Sequence, residues 1–178
     1  MPSLPAIETV PSASTEERVG VLDTLFEPCT QLHTLSVETL GETKFESYSA
    51  LIDVVGRQLQ SLYESRLESD QKWLNDILAA HPRLGEKKVD SEQSRNEQAQ
   101  LNQGEPGEGE KLAKLNQEYE EKFPGLRYVV FVNGRSRSVI MEDMQRRIQR
   151  GDVQQEKHDA IQALCDIAND RANKLLAA

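Results

Sequence analysis

The chain has 178 residues, 30 acidic against 21 basic, and a net charge of −9. That length suits one domain with a buried core. The acidic balance and the lack of a dense basic run argue against a phosphate-backbone partner. Two cysteines, Cys29 and Cys165, lie far apart. They suit a reducing compartment, not a disulfide framework or a thiolate metal site. No stretch is apolar for long enough to span a bilayer, and the N-terminus lacks the pattern of a secretory signal.

Residues 1–13 hold three prolines and read as a flexible leader, with one domain over 14–178. Ser14-Thr15-Glu16-Glu17 offers a cap and early acids, followed by Val19, Leu22, Leu25 and Phe26 at helical spacing. Residues 27–43 are mixed and suggest short helical pieces. Phe45, Tyr48, Leu51, Ile52, Val55, Leu59 and Leu62 predict a long amphipathic helix. Trp73, Leu74, Ile77 and Leu78 predict another. It should end near His81, because Pro82 disfavours the α conformation in the residue before it.

Residues 90–103 are polar and carry almost no apolar stripe. Gly104, Pro106, Gly107 and Gly109 mark a turn-rich break. Leu112, Leu115 and Tyr119 predict a helix that stops before Pro124-Gly125. Tyr128-Val129-Val130-Phe131-Val132 is β-like but has no partner run, so it reads as a buried extended segment over about 127–133. Val139, Ile140, Met144 and Ile148 give a helix closed by Gly151, and the last helix carries Val153, Ile161, Leu164, Ile167, Ala168 and Leu175. The expectation is an all-α, single-domain bundle of about seven to nine helices around one extended segment.

Three groups carry possible chemistry. His81 stands at a helix C-terminus, where the carbonyl end of the dipole would favour the imidazolium and suit a proton donor. The competing reading is a C-capping histidine. Ser94, Glu97 and Gln98, at i, i+3 and i+4, share one helix face and offer a hydroxyl, a carboxylate and an amide. Read structurally, Ser94-x-x-Glu97 is a capping box, unless Ser91 is the cap and Ser94 lies one turn inside. In Asn133-Gly134-Arg135-Ser136-Arg137 an arginine could grip a carboxylate, or the loop simply opens the next helix. The three histidines are scattered, so no metal site is expected, and neither a nucleophile elbow nor a phosphate loop is present.

Taken in order, the pieces resemble the 2-oxo-4-hydroxy-4-carboxy-5-ureidoimidazoline (OHCU) decarboxylase family of urate breakdown. The matching residues are His81-Pro82-x-Leu84-Gly85 and Ser94-x-x-Glu97-Gln98. Then come Leu115-Asn116-x-x-Tyr119-x-x-x-Phe123, the run from Tyr128 to Val132, and Gly134-Arg135. In the last helix Glu156, Ala163-Leu164, Ile167 and Arg171 also fit. The resemblance covers roughly residues 16–177. It implies an all-α fold, no metal or organic cofactor, a homodimer, and production of (S)-allantoin in purine catabolism.

The resemblance also implies roles. His81 would be the proton-transfer group, with Glu97 holding ring or ureido N–H groups and tuning it. Ser94 and Gln98 would bind oxygens of the ligand. Pro82, Val130, Phe131 and Val132 would line the ring's edge, and Arg135 would face the carboxylate. Arg83, Phe131 and Asn133 stand where many members carry Asp, Cys and Arg, which resembles a divergent, fungal-type branch. The alternative is a family member without turnover, acting as a small-molecule-binding or helical interaction protein. The final residues, Lys174 to Ala178, are not a Ser-Lys-Leu type address, so the expected setting is intracellular and cytoplasmic rather than peroxisomal.

Overall fold

A computed structural model describes residues 3–86, 89, 91–99, 101 and 105–178. Among these residues the chain is all-α, with no strand. A 3-10 helix over Ile7–Ser12 precedes α1 (Thr15–Leu25), α2 (Thr30–Glu42), α3 (Tyr48–Glu64) and α4 (Glu68–Ala79). After these come α5 (Glu92–Ala99), α6 (Glu108–Lys122), α7 (Arg137–Arg150) and α8 (Val153–Ala177). None of the described helices is long and apolar enough to cross a membrane.

Local chemistry explains most boundaries. Ser14 and Glu17 form a reciprocal capping box that starts α1, as expected from Ser14-Thr15-Glu16-Glu17. α4 is capped at Ala80, one residue before His81-Pro82. α7 ends at Gly151, which adopts a left-handed conformation that a side chain would strain. Two expectations differ. Residues 27–43 hold one continuous helix, α2, because Leu32, Ser36 and Leu40 share a buried face despite the mixed composition. Residues 7–12 of the expected leader form a 3-10 helix packed on α2, with Val10 fully buried, and Tyr48 Oη donates to the Pro5 carbonyl at 2.8 Å.

The long helices α3 and α8 make the most extensive pairing in the fold, and α1, α4 and α2 pack around them. Leu51, Ile52, Val55 and Leu59 of α3 are fully buried in the core, and Ala160, Leu164, Ile167 and Ala168 of α8 join them there. Residues 127–133 run without regular structure between α6 and α7, as the missing partner strand led one to expect.

A buried ionic cluster pins this extended segment. Glu156, fully buried, accepts from Tyr119 Oη and Arg147 Nε, both at 2.8 Å, and from Arg150 Nη2 at 2.7 Å. Arg147 lies 4.7 Å from the centre of the Tyr128 ring and donates to the Val129 carbonyl at 3.3 Å. The segment thus has its backbone fixed from behind at Val129, and Val130, Phe131 and Val132 contribute to a cavity on the opposite side.

Candidate active site

On that opposite side lies a cavity of about 850 Å³. Its polar wall includes His81 with Ser94, Glu97 and Gln98 of α5, and Arg171 of α8. Its apolar wall includes Leu84, Leu101, Ile167 and the Val130–Val132 run. Two distant sequence groups, His81 and the α5 face, therefore share one site.

The loop after α4 is clamped in place. Gln98 donates from Nε2 to the Arg83 carbonyl at 3.0 Å and accepts the Gly85 N–H at 3.1 Å. Asn116 of α6 donates to the Leu84 carbonyl at 3.0 Å. Gly85 has φ 78°, which lets the chain turn back beneath Leu112. The side chain of Gln98 is thus committed to holding the loop that carries His81. Arg83 points away from the cavity and pairs with Glu120, Nε to Oε1 at 2.8 Å.

Ser91 accepts the Ser94 N–H at 3.0 Å, so Ser91 caps α5 and Ser94 lies one turn inside. The Ser94 hydroxyl is buried and donates to Glu27. Glu97 receives Arg171 through Nε at 2.7 Å and Nη2 at 3.0 Å, a paired carboxylate–guanidinium contact. Arg171 also donates from Nη2 to Glu27 at 2.8 Å and from Nη1 to the Phe26 carbonyl. Glu27 Oε1 lies 4.0 Å from His81 Nδ1.

This network sets the charges. Burial, and then the Arg171 cation, push the His81 imidazole down to about 3, so it is neutral near pH 7. The sequence-based expectation of a favoured imidazolium therefore does not hold: loss of hydration outweighs the helix dipole, an effect worth about 0.3–1 kcal/mol. Burial works against the Arg171 charge, but Glu97 and Glu27 outweigh it and raise the guanidinium above its ordinary value.

The remaining expected site residues lie elsewhere. Pro82 is not among the residues lining the cavity. Arg135 also lies outside it. Its side chain folds back on its own turn, donating from Nε to the Val132 carbonyl at 3.1 Å and from Nη2 to the Phe131 carbonyl. Asn133 and Gly134, both at positive φ, form the middle of that turn and lie at the cavity rim. Two residues had no role in the reading from residue types, Glu27 and Arg171. Arg171 carried a usable signal: it continues the buried Leu164–Ile167–Ala168 stripe one turn further, where a charge needs a partner. Glu27, alone after α1, carried none. No group of three or more His, Cys, Asp or Glu is placed to hold a metal among the described residues.

Known proteins give a consistent picture. The solved structure of an (S)-allantoin synthase aligns with TM-score 0.60 and 20% identity, over 96% of this chain and 54% of that one. This chain thus spans about half the length of that protein, and at this identity the likeness establishes the fold. No curated protein matches the sequence. The family model described as OHCU decarboxylase matches residues 11–173, nearly the entire chain, and on that match the chain belongs to the OHCU decarboxylase family.

Proposed function

We propose that the protein decarboxylates OHCU to (S)-allantoin without a cofactor, with His81 as the proton-transfer group. The observation that carries this reading is the shared cavity, whose polar wall joins a neutral, buried histidine to Ser94 and Glu97 of α5.

The substrate supplies its own electron sink. The ring carbon bearing the hydroxyl and the carboxylate sits beside a ring C=N. When the C–CO₂ bond breaks, its electrons form a C=C bond, and the nitrogen takes a proton. The resulting enol then gives up its hydroxyl proton while the neighbouring carbon gains one, which creates the ring amide carbonyl and the stereocentre. A proton from solvent takes the place of the departing CO₂. The protein must orient the ring, exclude water and move a proton on one face.

His81, neutral at rest, has a free ring nitrogen that can take the hydroxyl proton and return one to carbon. Glu97, paired with Arg171 at 2.7 Å, offers its oxygens to ring or ureido N–H groups. Ser94 supplies a hydroxyl oxygen on the same wall, and Val130 to Val132 pack against the ring's edge. Gln98, through the clamp on Arg83 and Gly85, fixes the His81 loop. Arg135, turned onto its own loop, is left out of the carboxylate role. A homodimer belongs to this reading as a family expectation.

The test is to generate OHCU from urate enzymatically, add the purified protein, and follow the loss of OHCU and the optical activity of the allantoin. Rapid, single-enantiomer formation supports the reading. A spontaneous rate and a racemic product would overturn it. They would favour instead a family member that binds a small molecule without turnover, for which the Phe131 and Asn133 side of the cavity is the place to look.

A further inference from the structure

The polar cluster behind the cavity contains a carboxylate that does not line it. Glu27 lies in the loop between α1 and α2, is only 7% exposed, and is absent from the cavity wall that His81 helps to form. Its Oε1 accepts from Ser94, from Ser91 at 3.3 Å and from Arg171 at 2.8 Å, and stands 4.0 Å from His81 Nδ1. The imidazole therefore lies between a buried carboxylate and the cavity.

We propose that Glu27 is a positioning residue that selects the tautomer of His81, keeping the proton on Nδ1 and leaving Nε2 as the bare acceptor that meets the ligand. This rests on the decarboxylase reading for its functional meaning, but not for its structural content. A neutral imidazole carries one N–H, and the group facing each nitrogen decides where it sits. An anion beside Nδ1 favours the proton there. At 4.0 Å the contact is an orienting field, not a formed hydrogen bond. Arg171 moderates it by sharing the same carboxylate, and Ser94 and Ser91 hold the carboxylate in position. A buried ion pair contributes little net stability compared with apolar packing, so a role beyond stability fits Glu27. The logic is that of an acid holding a catalytic histidine in one tautomer.

The experiment is nitrogen NMR on protein labelled at its three histidines, with His81 assigned by its loss in His81→Gln. In the wild-type protein at neutral pH, His81 should show a protonated Nδ1 and an unprotonated Nε2. A dominant Nε2–H form would overturn the proposal, whatever the protein's activity. In Glu27→Gln, the His81 signals should shift toward the Nε2–H form. Turnover of OHCU should fall roughly 10–100-fold in kcat with KM little changed. An unchanged tautomer with unchanged kcat would also overturn it. If the wild-type protein shows the Nδ1–H form and Glu27→Gln loses it, but the wild type does not turn over OHCU, Glu27's tautomer control stands while the decarboxylase reading falls.

Discussion

Replacing Arg171 with methionine should be the most damaging single change at the site, and the structure says why. The guanidinium holds Glu97 at 2.7 and 3.0 Å, Glu27 at 2.8 Å, and the Phe26 carbonyl. Methionine fills similar space but offers no donor. The Glu97 side chain is 25% exposed and can turn to water, whereas Glu27 is 7% exposed and cannot. The cost therefore concentrates on one stranded carboxylate. Breaking a buried pair in this way costs about 3–5 kcal/mol. For a chain of this size that corresponds to a fall in Tm of roughly 6–20 °C. Urea unfolding of the wild type, Arg171→Met and the double variant Arg171→Met/Glu27→Gln measures it. The double variant should regain most of the loss, because the amide carries no charge. A single variant within about 1 kcal/mol of wild type, or a double variant no better than the single one, would refute the reasoning.

Three more outcomes follow from the same geometry. His81 titrates near 3 when folded against an ordinary 6.5, so below pH 6.5 the unfolded chain binds a proton that the folded chain does not. Stability is lost as pH falls through that window, and His81→Gln should lose about 2–3 kcal/mol less than wild type between pH 7 and 4.5 by urea unfolding. Equal losses would contradict the buried neutral ring. Gly85→Ala would put a Cβ 2.9 Å from Leu112 Cδ2 at φ 78°. It should cost roughly 1–2 kcal/mol in thermal melts and weaken ligand binding by shifting the His81 loop. Tyr119→Phe removes a donor to buried Glu156 and should cost roughly 1.5–3 kcal/mol, leaving α7 and the extended segment less protected in hydrogen exchange.

Much of this architecture is legible from residue patterns. The α3 stripe, the stop at His81-Pro82 and the lone β-like run each follow from local chemistry, and each stands in the structure. The polar face of α5 was legible too, since i, i+3 and i+4 spacing brings Ser94, Glu97 and Gln98 together. What those side chains touch was not. Glu27 lies 67 residues from Ser94, and Arg171 lies 74 from Glu97. Only the fold brings such pairs together, and the neutral state of His81 depends on its burial and on Arg171. Arg135 failed for the opposite reason. Its partners are its own turn's carbonyls, a local bond that composition does not distinguish from a free arginine.

The central claim is that His81 moves the proton, and one comparison tests it directly. OHCU generated from urate is mixed with the wild-type protein and with a His81→Ala variant shown to be folded, and the rate and chirality of allantoin formation are recorded. The wild type should form (S)-allantoin quickly, and the variant should lose on the order of 10²–10⁴-fold in rate, with its enantiomeric excess gone. A His81→Ala protein that still turned over OHCU at the wild-type rate and kept the enantiomeric excess would contradict it.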